Sequence, residues 1–400
     1  MFGFGAEKKS VGRALIFDVG SGSIGVALAG IHSSSPSILW SRREHLPVQE
    51  NVRLSGLITS TTDIFTALAA AAGKEVLLNF PGTSPDIRVF FSSPWNLTQS
   101  LTVKCSEKEP MPSDYYFRQV EKIVDERAHA MQGEKNSAAS AVLIERNIVQ
   151  TKMNGYRTGN LYGKRARGVE ATVVLSVIGA DIHGRVSAVL DRLFPERSRV
   201  FRSFALASFS VVRDLFADAE HFLLVDVGAE VTDVGLVRED ALLEAVSFPS
   251  GKYAALRLIA TALRTSLDDA SARVALFMRG RSERGESKRM AAALVDAAAQ
   301  WQRGFERTLG LLAENSSLPT QVFLTADTDL AEWFRLTLEQ SNGGQFTITA
   351  DPLLATVINR EHIKSFLSYA PTAVEDPFLA LEALFVHKEA RVAMAVRGRP

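Results

Sequence analysis

The chain has 400 residues, more than a single hydrophobic core usually serves, so two or more lobes are expected. Hydrophobic residues make up 46% and charged residues 22%, near the globular average, which excludes global disorder. Basic and acidic residues both number 45, and a formally neutral chain has no general attraction for nucleic acid or anionic lipid. The single cysteine, Cys105, excludes an internal disulfide and fits a reducing compartment.

The first part of the chain predicts strands joined by a turn of glycine and serine. An apolar strand at 14–17 leads to Asp18, and after the turn a second strand follows at 24–29. A third strand at 37–40, a helix at 61–72 that begins at Thr61 or Thr62 and stops at Gly73, and a buried strand at 87–91 are predicted next.

From about Pro94 to Arg199 the composition changes. Apolar residues recur at helical spacing over 115–131, and strands are predicted at 141–149 and 171–178, before a helix at 183–194. This pattern indicates a small α+β insert, and a continuation of the first lobe is the alternative.

The second half repeats the opening motif. A helix at 205–216 precedes an apolar strand at 222–227, which contains Asp226, and a turn of small residues leads to a strand at 233–237. One strand–Asp–turn–strand unit in each half indicates an internal structural repeat.

Further helices and a last strand are predicted after this repeat. A helix is predicted from Gly251 to Leu267, then a long helix whose apolar stripe indicates core packing, then a strand at 321–325. The basic runs at 279–289 and 388–400 are interpreted as a solvated loop and a solvated tail. No stretch approaches the roughly 18 uninterrupted apolar residues of a membrane span, so a protein at most peripheral to a membrane is expected.

The two turns predict phosphate chemistry. In each, a strand carries an Asp to the edge of the sheet, and small residues then let backbone N–H groups approach phosphate oxygens closely. Asp18 and Asp226 cannot bind phosphate themselves, because like charges repel, but they can hold Mg²⁺ through water and orient an attacking water. Two ordinary hairpins are the alternative interpretation.

These turns resemble the phosphate-1 and phosphate-2 motifs shared by actin, heat-shock chaperones and sugar kinases. The chain most resembles the FtsA/PilM group of cell-division and type IV pilus proteins. The residues that carry this likeness are Asp-Val-Gly-Ala-Glu-Val-Thr at 226–232, Met1-Phe2-Gly3-Phe4 with lysines before the first strand, and Asn154-Gly155-Tyr156 followed by Gly163-Lys164 and a strand.

The resemblance implies a two-lobed actin-like ATPase (RNase H-like) α/β fold with an inserted α+β SHS2/1C subdomain. It places the first lobe (1A) at 1–93 and 200–220, the insert at 94–199, the second lobe (2A/2B) at 221–370 and a C-terminal tail at 371–400. It also implies ATP and Mg²⁺ between the lobes, weak ATPase activity at most, and an insert that makes protein contacts.

The resemblance assigns the site residues position by position. Asp18 and Asp226 are the predicted catalytic residues and the predicted Mg²⁺ ligands, through water. The predicted nucleotide-binding residues are Gly20, Ser21, Gly22, Ser23, Gly228, Ala229, Glu230, Thr232, Gly251 and Lys252. Gly251 opens a helix, whose N-terminus suits an anion.

Two positions depart from the family pattern. Lys252 stands where a small residue is usual, and Ala326-Asp327 replace the paired glycines that let the backbone lie under the nucleoside. These departures predict weak or absent nucleotide binding on a conserved fold.

The resemblance favours a cytoplasmic assembly platform or adaptor, held at the inner face of the cell membrane by a short cytoplasmic segment of a membrane protein. The pilus role is preferred to cell division, self-association or filaments stay open, and no nucleic-acid partner is expected. The alternative is a small-molecule (sugar-type) kinase with Asp86 or Asp114 as general base, although each also suits a capping position. A chaperone is disfavoured, because no β-rich substrate domain follows residue 330.

Overall fold

The computed structural model describes residues 10–32, 34–133, 140–159, 163–281 and 284–397. Each strand–Asp–turn–strand motif forms part of a separate sheet. The opening Met1-Phe2-Gly3-Phe4 motif lies outside these residues. The strands are β1 (Ser10–Val19), β2 (Ser23–His32), β3 (Ser37–His45), β4 (Asp86–Phe91), β5 (Asn96–Pro112), β6 (Ala141–Met153), β7 (Tyr156–Arg157), β8 (Arg165–Gly179), β9 (Arg199–Ser203), β10 (His221–Val227), β11 (Thr232–Arg238), β12 (Ala241–Phe248), β13 (Gln321–Ala326), β14 (Leu354–Val357) and β15 (Ser368–Tyr369).

The helices connect and cover these strands. They are α1 (Leu54–Asn79), α2 (Ser113–Gln132), α3 (Ala180–Leu193), α4 (Phe204–Leu215), α5 (Lys252–Leu263), α6 (Leu267–Met278), α7 (Arg284–Leu312), α8 (Ala331–Glu339), α9 (Arg360–Ile363) and α10 (Pro377–Arg397).

The described residues divide into two units, each with its own core. Unit 1 comprises Met1–Ser92, Gly184–Leu215 and Ile358–Pro400, and unit 2 comprises Ser93–His183 and Phe216–Val357. Unit 2 therefore contains residues 94–183 of the predicted insert together with most of the predicted second lobe, whereas residues 184–199, predicted as the end of the insert, belong to unit 1.

The main sheets of the two units have the same topology. In unit 1 the order is β15-β3-β2-β1-β4-β9, with β1, β2 and β3 antiparallel and β4 and β9 parallel to β1. In unit 2 the order β12-β11-β10-β13-β14 repeats the arrangement of β3-β2-β1-β4-β9, and β15 is an additional edge strand of unit 1. β1 and β10 lie in the interior of their sheets, which explains why both are continuous apolar runs. The predicted internal repeat is confirmed.

The insert is a four-stranded antiparallel sheet, ordered β5-β8-β6-β7, with α2 packed on one face. Val120, Val124 and Ala128 lie one helical turn apart on α2 and pack against Val103 and Val173 of the sheet. The predicted strands and helix of the insert are all present, and β5 is a strand that the sequence analysis did not predict.

Helix α1 is longer than predicted at both ends. It begins after Arg53, which makes no side-chain capping bond, and it passes through Gly73 instead of stopping there. A Cβ at Gly73 would make only an ordinary contact with the Phe194 ring, at 3.4 Å, so packing does not require glycine at this position. By length and composition alone α1 could cross a membrane, but a single such helix among the described residues is weak evidence, and Phe65, Leu68 and Ala72 on one side of it are buried.

The apolar run before the predicted solvated tail is the buried part of a C-terminal helix, and residues 391–394 of the tail itself are exposed. Residues 377–397 form α10, which packs on α4, β1 and β2. Its residues Leu379, Ala380, Leu381 and Ala383 are fully buried, so burial of this apolar face fixes the helix in unit 1. Residues 358–400 all belong to unit 1, which differs from the predicted boundary at 370/371.

Candidate functional site

The first turn lies at the end of β1, and its acid is paired by a cation two strands away. Register places Asp18 opposite Gly25 and Gly25 opposite Arg43, so the three residues form one row across β1, β2 and β3. Arg43 reaches over Gly25, and its Nη2 donates to Asp18 Oδ2 at 2.6 Å. A Cβ on Gly25 would lie only 2.7 Å from Nη2, so the glycine leaves the space that Arg43 occupies.

Arg43 has three further partners. Its Nε donates to Asp376 Oδ2 at 2.5 Å, and Nη1 donates to Ser23 Oγ at 2.8 Å. Its guanidinium also lies 5.3 Å from the centre of the Phe378 ring, a cation–π distance. Burial would lower the pKa of Arg43, but the carboxylates of Asp376 and Asp18 raise that pKa well above its ordinary value. The guanidinium therefore stays charged and fixed in place.

A third carboxyl, Glu382 of α10, lies beside this cluster and is fully buried. Burial raises the pKa of Glu382 well above its ordinary value, and the Asp18 carboxylate raises that pKa further, against the opposing effect of Arg43. The protonated, uncharged form of Glu382 is favoured, which keeps a third negative charge out of the cluster.

Internal bonds also hold the other residues of the first turn. The Gly20 N–H donates to the Ser23 carbonyl at 3.1 Å, and the Gly22 carbonyl accepts from the Leu46 N–H at 2.8 Å. Ser21 is buried, and the Ser23 hydroxyl accepts from Arg43. The turn is a tight hairpin of small residues, as predicted, with partners inside unit 1.

The second turn has its own set of partners in unit 2. Asp226 is buried, and its Oδ1 accepts from the Thr325 hydroxyl at 2.7 Å. Arg257 of α5 donates to both oxygens of Glu230, at 3.0 and 2.5 Å, in a bidentate pair. The Thr232 hydroxyl donates to the Ser250 carbonyl at 2.6 Å, and it accepts from the indole N–H of Trp301 at 3.1 Å.

The N-terminus of α5 donates to this turn. The N–H of Lys252 donates to the Gly228 carbonyl at 3.0 Å, and the N–H of Tyr253 to the Ala229 carbonyl at 2.7 Å. These amides were predicted to face an anion. A Cβ on Gly251 would lie 2.2 Å from the Gly228 carbonyl oxygen, so contact between turn and helix is a sufficient reason for glycine at this position.

The two departures from the family pattern contact each other. Lys252 is only 7% exposed, and its Nζ donates to Asp327 at 2.9 Å and to Asp329 at 3.0 Å. Burial would lower the pKa of Lys252, but Asp327 and Asp329 outweigh it and raise that pKa. Lys252 thus remains a cation, and the two acids beyond β13 surround it.

The carboxylate of Asp18 does not fit Mg²⁺ in this arrangement. Mg²⁺ takes oxygen ligands in near-octahedral geometry, whereas this carboxylate is held by a guanidinium. Among the residues that the structure describes, no group of three or more His, Cys, Asp or Glu side chains could hold a metal ion. The binding of ATP and Mg²⁺ remains a prediction that rests on the family resemblance.

The candidate bases of a kinase lie on exposed surfaces. Asp86 begins β4, and its carboxylate is 3.7 Å from Arg88. Asp114 lies in the first turn of α2, where an acidic side chain favourably meets the helix dipole. Both positions suit a structural role.

Sequence reasoning missed several residues that complete these clusters, namely Arg43, Arg257, Asp329, Asp376 and Glu382. One signal was available, because Asp376-Pro377 ahead of an apolar run is typical of a helix start. The partners of Asp18 and Glu230 carried no local signal, since strand register and helix placement bring them together.

The repeated five-stranded topology, with the antiparallel insert, defines an actin-like ATPase (RNase H-like) fold. No protein-family model matches the chain, and no curated protein matches it. Among solved structures it is similar to a chain of the "PilM-PilN type IV pilus biogenesis complex", at 15% identity and a TM-score of 0.61, over 94% of this chain and 98% of that one.

Two further structures are similar at lower scores. One is the ethanolamine utilization protein EutJ from Carboxydothermus hydrogenoformans, at 9% identity over 95% of this chain and 91% of that chain, with a TM-score of 0.46. The other is a Bacteroides thetaiotaomicron protein with an actin-like ATPase fold, at 11% identity over 96% and 99%, with a TM-score of 0.43. At these identities the first similarity shows the fold, and the other two carry no further argument.

Proposed function

We propose that the chain is a PilM-like adaptor, an assembly platform that binds a short cytoplasmic segment of a membrane protein at the inner face of the cell membrane. The observation that carries this proposal is the similarity to a chain of the PilM-PilN complex, over 94% of this chain and 98% of that chain. Matching over nearly both whole chains includes the insert as well as the repeated sheets.

The insert exposes large apolar side chains that such a contact would cover. Leu97 on β5, Ile123 on α2 and Ile148 on β6 are large apolar side chains that are 48%, 40% and 50% exposed. Covering apolar side chains with a partner removes their surface from water, which favours binding. The pilus machinery is preferred to the division machinery, because the similar solved complex is one of pilus biogenesis.

The kinase alternative gains no support from the site. Asp86 and Asp114 lie on surfaces where ion pairing or a helix dipole accounts for them. An adaptor, by contrast, requires only a stable surface and no general base.

The test uses synthetic peptides that cover the cytoplasmic segments of the single-span pilus and division membrane proteins of the same cell. Fluorescence anisotropy with the full chain is expected to find one peptide that binds saturably. Ile148→Asp should weaken that binding by about tenfold or more, because a charge replaces an apolar contact. Ile348→Asp is the matched control, since Ile348 is 84% exposed and lies outside the insert.

Two results would contradict the adaptor role. One is that no peptide of the panel binds while phosphate release from ATP responds to a sugar. The other is that Ile148→Asp and Ile348→Asp bind the selected peptide as the wild type does.

A further inference from the structure

The acids beside both turns are neutralised by cations of the same chain. Arg43 pairs with Asp18 in unit 1, and Lys252 pairs with Asp327 and Asp329 in unit 2. The first pair occupies Asp18, which the resemblance assigns to the metal, and the second occupies Lys252, which it assigns to the nucleotide, while Asp226 accepts from the Thr325 hydroxyl.

We propose that Arg43 and Lys252 are built-in counter-ions, which supply at the two turns the positive charge that a divalent cation would bring, so that the chain folds and functions without Mg²⁺ or nucleotide. This inference goes beyond the adaptor role, which makes no statement about ATP.

Strand geometry carries the inference in unit 1. Asp18, Gly25 and Arg43 share one row of the sheet, and the missing side chain at Gly25 is what lets the guanidinium cross β2. The same guanidinium binds Asp376, whose Oδ1 accepts from the Phe378 and Leu379 N–H groups at the start of α10. A metal at Asp18 would have to displace a cation that also anchors a buried helix.

Two independent contacts carry the inference in unit 2. The first two amides of α5 already donate to the Gly228 and Ala229 carbonyls, so a phosphate would have to break those bonds. The Lys252 ammonium is buried between the partly exposed carboxylates of Asp327 and Asp329, so its charge is already paired within the chain. Both clusters are complete without a ligand.

The first experiment measures the melting temperature of the wild-type full chain in EDTA, in millimolar Mg²⁺, and in millimolar Mg²⁺ with ATP. A ligand well above its Kd that binds only the folded state raises the melting temperature by several degrees. We expect the same melting temperature in all three conditions. A rise that requires both Mg²⁺ and ATP, and that Asp18→Asn abolishes, overturns the proposal.

The second experiment compares Arg43→Ala with Arg42→Ala in EDTA. Arg42 is the neighbouring residue on β3 and pairs with Glu44 in an exposed ion pair, which contributes little to stability. We expect Arg43→Ala to melt several degrees lower and Arg42→Ala to melt as the wild type does. Equal melting temperatures for the two variants contradict the counter-ion role, and the wild-type titration decides if Arg43→Ala does not fold.

Mg²⁺ then tests whether the vacated position suits a cation. With Arg43 removed, the carboxylates of Asp18 and Asp376 have no counter-ion, so Mg²⁺ should raise the melting temperature of Arg43→Ala and leave the wild type unchanged. A rise of equal size in both, or in neither, contradicts the claim that Arg43 takes the place of a divalent cation.

Lys252→Met gives the corresponding measurement in unit 2, with Lys288→Met on an exposed position of α7 as its control. Methionine keeps the length of the side chain and removes its charge. We expect a lower melting temperature for Lys252→Met alone. If both lysine variants have the melting temperature of the wild type, Lys252 is not a stabilising counter-ion.

Discussion

Gly25 illustrates how one absent side chain decides the chemistry of the first turn. Any Cβ there would enter the space of the Arg43 guanidinium, which donates a hydrogen bond to the Asp18 carboxylate. Gly251 acts in the same way in unit 2, where it allows the Gly228 carbonyl to meet the start of α5. Both glycines serve close internal contact.

Gly251→Ala is expected to destabilise unit 2 strongly. Its Cβ would lie 2.2 Å from the Gly228 oxygen and 2.7 Å from the Ala229 oxygen, and backbone atoms cannot move aside cheaply. Overpacking of this kind costs about 1–3 kcal/mol, or more. Urea unfolding of the full chain measures the effect.

The control is the same substitution at Gly184, an exposed position inside α3. A Cβ there meets nothing within 4 Å, so alanine should stabilise the helix by about 0.5–1 kcal/mol. If Gly251→Ala proves neutral, the close contact between turn and helix is not what requires glycine there.

At the scale of elements, α10 connects the first turn to the core of unit 1. Asp376 caps the helix through the Phe378 and Leu379 N–H groups, and Pro377 takes the first helical position, where its missing N–H costs nothing. Because Arg43 binds the same Asp376, cap and turn share one ion cluster.

Asp376→Ala should therefore lower the free energy of unfolding by about 2 kcal/mol or more, since it removes an N-cap and one carboxylate of a buried ion cluster. Glu375→Ala is the control, because Glu375 pairs with Arg360 on the surface. Chemical denaturation of both variants gives the comparison, and equal values would show that the cap and the cluster contribute nothing.

The repeat was predictable because interior strands are continuous apolar runs that end at an Asp and a turn of small residues. The sequence also predicted the α7 stripe, of which Met290, Trp301 and Phe305 are buried. β5 escaped prediction because its second half is an exposed edge segment rich in charged residues and proline. The bounds of α1 were missed because a glycine inside the helix was interpreted as a stop.

At the scale of the whole molecule, one sheet topology occurs twice with different chemistry at each turn. In unit 1, Arg43 from two strands away donates to Asp18. In unit 2, Thr325 on the neighbouring parallel strand donates to Asp226. The small residues of the turns, and hence the candidate site, were predictable from sequence. Their partners were not, because register between strands and the placement of α5 and α10 depend on the folded structure.

A crystal structure of the chain grown with Mg²⁺ and a non-hydrolysable ATP analogue tests most directly whether Arg43 and Lys252 act as built-in counter-ions. We predict that Arg43 stays hydrogen-bonded to Asp18, that Lys252 stays between Asp327 and Asp329, and that neither metal nor nucleotide is present at the two turns. A Mg²⁺ ion near Asp18 with the Arg43 guanidinium turned away would contradict this account.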